Sequence, residues 1–178
     1  MNVLVEKVEI PDGVVAELKG NDFSAKGKGG ENNRHFKSIK VVLKKNDSII
    51  EVWSKDEKRD SLAESKTIAS HIKNMMHGTM EDYKYTMEVV FSHFPMNVSV
   101  KGNFVEINNL AGAKHPKKAR IMEGVKVEIK GKDITVTGHN KEAVGQTAAN
   151  MEQATKIRGK DVRVFTDGIY ITSKPEKK

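Results

Sequence analysis

The second half of this 178-residue chain echoes the first at an offset of about 80 to 84 positions. A repeat constrains architecture more than any other feature, because similar stretches of sequence fold into similar units. Ile50-Glu51-Val52, followed by Ser54-Lys55-Asp56, resembles Ile134-Thr135-Val136, followed by Gly138-His139-Asn140. Val14, Ala16, Leu18 and Gly20 resemble Val98, Val100 and Gly102, and Gly78 closes a helical stretch as Gly159 does later. The shared order and near-constant offset point to duplication. A chain of this length can bury a core in each of two small units.

Each unit reads as strands, then a helix, then strands. Val14/Ala16/Leu18 and Phe23/Ala25 alternate around Gly20-Asn21, a hairpin signal. Ile39/Val41/Leu43 and Ile49/Ile50/Val52 make a second pair across Lys45-Asn46-Asp47. A helix is predicted from about Ser61 to His77, with Leu62, Ala69, Ile72 and Met76 on one face and Gly78 as its stop. Tyr85/Met87/Val89/Phe91 then alternate as a closing strand. In the second unit, Val98/Val100 and Val105/Ile107 flank Gly102-Asn103, and Val125/Val127/Ile129 and Ile134/Val136 flank residues 130–133. A second helix is predicted over 141–157, with Val144, Ala148, Met151 and Ala154 inward. Val162/Val164 and Ile169/Ile171 predict a last hairpin with Asp167-Gly168 as its turn. Pro95 biases Phe94 away from helix, so the boundary is predicted at residues 92–95. The units are then 1–92 and 93–178, followed by a frayed tail over 173–178.

Charge separates the two units. Lys and Arg number 31 and Asp and Glu 24, a net charge of +7. Residues 1–92 hold 15 basic and 15 acidic side chains, whereas 93–178 hold 16 and 9. The whole excess falls in the second unit, so that unit is expected to meet a polyanion. Cysteine is absent, which excludes disulfides and thiolate chemistry. No apolar run reaches membrane-spanning length, and the first residues lack a signal-peptide pattern. A soluble intracellular protein with no membrane partner is expected.

The candidate residues cluster in the basic unit. Lys114, His115, Lys117, Lys118 and Arg120 fall within seven residues between two predicted hairpins, a loop suited to phosphate contacts. The plain alternative is a solvated lysine-rich loop. His139, Asn140 and Lys141 sit where a strand meets a helix start, where exposed N–H groups attract anions. Asn140 also suits a simple N-cap. Gln146, Asn150 and Gln153 share one helix face, and amides can read bases or 2′-hydroxyls. A solvated face is the plainer reading of these three. Lys156, Arg158, Lys160 and Arg163 extend the basic set past the helix end, where cations also stabilise the helix dipole. The glycine-rich stretch 25–30 lacks the full phosphate-loop pattern and reads as a flexible hairpin turn.

Catalysis finds no support. The six histidines make no recognised metal spacing, no nucleophile elbow occurs, and no cofactor or small-molecule substrate is implied. The ten aromatic residues fall mostly on alternating strand positions, so no exposed stacking platform is expected. Recognition of folded RNA by shape, phosphate and 2′-hydroxyl contacts fits better.

The segment from Gln146 to Asn150, with Lys160, Arg163, Phe165 and Asp167-Gly168-Ile169-Tyr170, resembles the C-terminal signature of the universal large-subunit ribosomal protein family called L-six. The likeness is greatest to its archaeal and eukaryotic branch. Ile10-Pro11-Asp12-Gly13-Val14 resembles that branch's opening strand, and Tyr83, Tyr85, residues 92–95 and Asn97-Val98 resemble its inter-domain segment. The resemblance implies an α+β fold of two tandem homologous domains, each a small antiparallel-rich sheet with one packed helix. It implies a structural, non-enzymatic constituent of the cytoplasmic large ribosomal subunit. Binding to large-subunit rRNA is implied mainly through the C-terminal domain, near the sarcin–ricin region and stalk base where translational GTPases dock. Neighbouring ribosomal proteins, and those GTPases, are the implied protein partners. The matched RNA-facing positions are His139, Asn140, Lys141, Gln146, Lys160, Arg163 and Tyr170, and Lys174 completes the candidate set. Residues 109–114 depart from the family pattern, which often has an acidic or bulky residue before the lysine. RNA contact by Lys114, Lys117, Lys118 and Arg120 therefore rests on charge and loop position. The alternatives are a stand-alone RNA chaperone and a nucleic-acid-processing enzyme.

Overall fold

Apolar residues at every second position, with short polar turns between, build the first unit strand by strand. The computed structural model describes residues 3–92, 94–161 and 163–175. It begins with β1 (Val3–Glu9), followed by the antiparallel meander β2 (Val15–Lys19), β3 (Asp22–Gly27) and β4 (Gly30–His35). Strands β5 (Val41–Asn46) and β6 (Ile49–Ser54) form the next hairpin, and β1 adds to it in the order β1-β6-β5. Helix α1 (Arg59–Met80) then buries Ile68, Ala69, Ile72 and Met76 in a core with Val8, Phe23, Ile50 and Val52. Burying each of the larger side chains contributes about 1.5–3 kcal/mol.

Two details of this unit differ from the sequence reading. Gly78 does not stop α1. It is buried in the last turn, and the helix ends at Met80, where Glu81 turns extended while its N–H donates to His77 O at 3.0 Å. The glycine-rich 25–30 stretch holds the β3–β4 hairpin turn, as read, but that turn is packed rather than free. It packs on the end of α1, with Gly29 N–H donating to Thr79 O at 2.7 Å. A Cβ on Gly27 would lie 2.6 Å from that carbonyl oxygen, so only glycine fits. Gly27→Ala is therefore expected to lower the stability of the first unit by about 1–3 kcal/mol through overpacking. Trp53, the single tryptophan, sits in β6 and reports this unit alone. Denaturation of the full chain followed at Trp53 should shift to lower denaturant, and an unchanged midpoint contradicts the close packing.

The second unit repeats the plan. Strand β7 (Tyr83–Val90) precedes the meander β8 (Asn97–Lys101), β9 (Phe104–Asn108) and β10 (Lys117–Arg120). The hairpin β11 (Val125–Lys130) and β12 (Asp133–Gly138) leads into α2 (Lys141–Ala154), and β13 (Gly168–Ser173) ends the unit. Strands β7 to β12 and α2 correspond in order to β1 to β6 and α1. Among the described strands, β13 alone has no counterpart. It pairs with β7 and widens the sheet to β11-β12-β7-β13. Val105, Ile107, Ile134, Val136, Val144, Ala148, Met151 and Ile169 form the core. This is the expected α+β fold of two tandem homologous units.

The boundary falls between Asp82 and Tyr83 rather than at residue 92. The strand read as closing the first unit opens the second, because its backbone pairs with β12 and β13. His93 of the predicted linker lies outside the described residues. With the corrected split, residues 1–82 hold 14 basic and 14 acidic side chains and 83–178 hold 17 and 10, so the excess stays in the second unit.

Four further readings change. Helix α2 ends at Ala154, not at 157, and Gly159 lies in the bend beyond it. Among the described residues the last hairpin does not form. Val162 lies outside the described residues, Arg163 and Val164 occupy a turn, and β13 takes β7 as its partner. Asp167 is a buried acceptor rather than a turn residue, receiving the Ser92 N–H at 2.8 Å. Ser173, assigned to the frayed tail, belongs to β13, and residues 176–178 lie outside the described residues.

Candidate nucleic-acid interface

Residues 117–120, expected on a loop, form the edge strand β10 paired with β9. Only Ala119 of this strand is buried, while Lys117, Lys118 and Arg120 are exposed. The strand is anchored to α2. Asn150 Nδ2 donates to Arg120 O at 2.9 Å, and Gln146 Nε2 donates to Asn150 Oδ1 at 2.8 Å. Met122 N–H donates to Thr147 Oγ1 at 3.1 Å beside them. Asn150 thus ties β10 to the helix, and Gln146 is hydrogen-bonded to Asn150 while remaining exposed.

This anchoring brings two distant parts of the sequence together. An open groove of about 660 Å³ lies between residues 110–113, strand β10 and the end of α2. Lys117 and Lys118 line one side, and Lys156, Arg158 and Lys160 line the other. Gln153, the third amide of the predicted face, also lines it. No Asp or Glu is among the described residues that do so. Five cations and no carboxylate among the described lining residues make the local field around this open groove positive. Lys160 is held in place, with its ammonium 4.6 Å from the centre of the Phe165 ring and 3.4 Å from Ala111 O.

The remaining candidates lie elsewhere on the unit. His139, Asn140 and Lys141 mark the opposite end of α2, about 20 Å from the groove end of a 14-residue helix. Asn140 is the N-cap, its Oδ1 accepting from Glu142 N at 3.0 Å and Ala143 N at 3.3 Å. The His139 ring packs against Gly124, and Lys141 Nζ lies 5.4 Å from the centre of the Tyr83 ring. Burial raises the pKa of the Tyr83 phenol above its ordinary value, which keeps that ring neutral beneath the ammonium. Tyr170 is exposed, and its hydroxyl donates to Thr166 O at 3.1 Å. Lys114, His115, Arg163 and Lys174 are exposed and do not line the groove. The set drawn from sequence therefore resolves into one groove, one capped helix start, and scattered surface cations.

Among the described residues, no three His, Cys, Asp or Glu side chains cluster to hold a metal, and no helix is long and apolar enough to cross a membrane. Fold and surface together define a class: duplicated α+β proteins in which one copy carries a basic, carboxylate-free groove. The family described as "Ribosomal protein L6" matches twice, over residues 10–82 and 94–168. The chain is 45% identical to the "Large ribosomal subunit protein uL6" of Saccharolobus solfataricus, over 97% of this chain and 96% of that protein. Proteins of the same name from Methanobrevibacter smithii and Archaeoglobus fulgidus are each 44% identical, covering 95% and 94% of this chain and 95% and 88% of theirs. The chain belongs to the L-six family of ribosomal proteins, a family of structural components and not of enzymes.

Proposed function

We propose that this chain is a structural constituent of the large ribosomal subunit in the cytoplasm and binds large-subunit rRNA mainly through its second unit. Its archaeal relatives, named for the large subunit and alike over nearly their full length, support the assembly. The groove supports the choice of unit, because it gathers five cations and no carboxylate among its described lining residues. Lys and Arg there neutralise backbone phosphates and release their counterions. The sheet and helix behind them are rigid, so the contact fixes orientation as well as affinity. The first unit is neutral and left to face a protein neighbour or a docking factor. The family resemblance adds the finer location, near the sarcin–ricin region and the stalk base, where translational GTPases come to dock.

Sedimentation of lysate through a sucrose gradient tests the assembly. The chain is expected to migrate with large subunits and to leave them only at high salt. A dominant free pool favours a stand-alone chaperone or processing enzyme and overturns the proposal.

A further inference from the structure

The solvent face of the β8-β9-β10 sheet carries an aromatic side chain framed by cations. Strand pairing aligns Lys101, Phe104 and Arg120 in one cross-strand row, and Ser99, Glu106 and Lys118 in the next. Neighbours in a row project from the same face of a sheet. Val105, Ile107 and Ala119 alternate with these residues and are buried on the other face. Phe104 is 45% exposed, although an apolar ring gains nothing from water. The face holds three cations and one carboxylate, Glu106, which pairs with Lys101.

A lone exposed ring is ordinary on a protein surface. Here the first unit provides an internal comparison. Its equivalent row in β2-β3-β4 is Lys19, Asp22 and His35. Asp22 takes the place of the ring, and its carboxylate is 2.6 Å from His35 Nδ1. On one scaffold, the neutral copy fills this row with a self-contained hydrogen-bonded pair, and the basic copy fills it with a ring between cations.

We infer that this face is a second RNA contact, in which one unpaired base stacks on Phe104 while Lys118 and Arg120 hold the adjoining phosphates. It deepens, and rests on, the proposal that the second unit binds rRNA. Stacking tolerates any base, since each presents a π-face. Lys118 also lines the groove, so a strand leaving the groove across the edge of β10 arrives at Phe104.

Binding of the full chain to deproteinised large-subunit RNA tests this, using Phe104→Leu and Phe104→Tyr. Phe104→Leu keeps apolar bulk without the ring and should weaken binding about tenfold, the loss of one stacked base, while Phe104→Tyr stays within about twofold. Neither should change the salt dependence, because neither removes a phosphate contact. Phe104→Leu binding as tightly as wild type overturns the inference, and it is also the result expected if a protein covers this face. Failure of the groove reading looks different: charge reversal in the groove then leaves both affinity and salt dependence intact.

Discussion

A fragment beginning at residue 93 is expected not to fold, whereas one beginning at residue 83 folds and binds RNA. The two differ by β7 and the residues that follow it. That strand is interior to its sheet, paired with β12 on one edge and β13 on the other. Its Tyr83, Met87 and Val89 are buried in the core of the second unit. Their burial alone is worth about 4–9 kcal/mol. That is comparable with the whole stability of a small domain, about 5–15 kcal/mol. Without β7, both facing edges also lose their hydrogen-bond partners. Circular dichroism and proton chemical-shift dispersion should show fragment 83–178 ordered and 93–178 collapsed. Fragment 1–82 should fold and fail to bind RNA. Salt-sensitive binding by 1–82 contradicts the division of labour, and a well-folded 93–178 contradicts the boundary.

The second large effect is expected in the groove. Reversing Lys117, Lys156 and Arg158 to glutamate in the full chain should cost at least about a hundredfold in affinity for large-subunit RNA at moderate salt. The plot of log affinity against log salt should flatten by about 2 to 3. Lys160 is left intact because it also stacks on Phe165 and helps fix its loop. The three chosen side chains are exposed, so thermal stability should hardly move. The same reversal at Lys114 and Lys174, outside the groove, should cost far less. Equal losses at both sets point to diffuse attraction rather than a built groove.

The repeat and its hairpins were legible because alternating apolar residues announce a half-buried strand. Strands without that signal stayed hidden. Strand β10 has Ala119 as its single buried residue among cations, so it reads as a loop. Strand β4 turns Asn32 inward, where the amide donates to Met75 O at 3.1 Å, and so shows no apolar stripe. Val162 and Val164 misled in the opposite direction. Val164 is 54% exposed, and Asp161 organises a turn by accepting the Arg163 N–H on its carboxylate at 2.9 Å. The placement of β7 was ambiguous for a different reason. A strand after a helix can close its own sheet or open the next, and alternation is the same in either case. The cations were visible in the sequence, but their grouping was not. That depends on which end of α2 meets the edge of β10, and long-range packing decides it.

The last strand has a consequence for how the chain is made. Strand β13 pairs with β7 across roughly eighty residues of sequence, placing Gly168 opposite Val90. The sheet of the second unit is completed only once β13 has emerged from the translating ribosome. The first unit needs nothing beyond residue 82 and can close while its sister is still being synthesised. Such long-range pairing is also slow, since a large loop must close before its contacts form. The neutral unit is thus ready first, and the basic unit follows once its last-paired strand has been made.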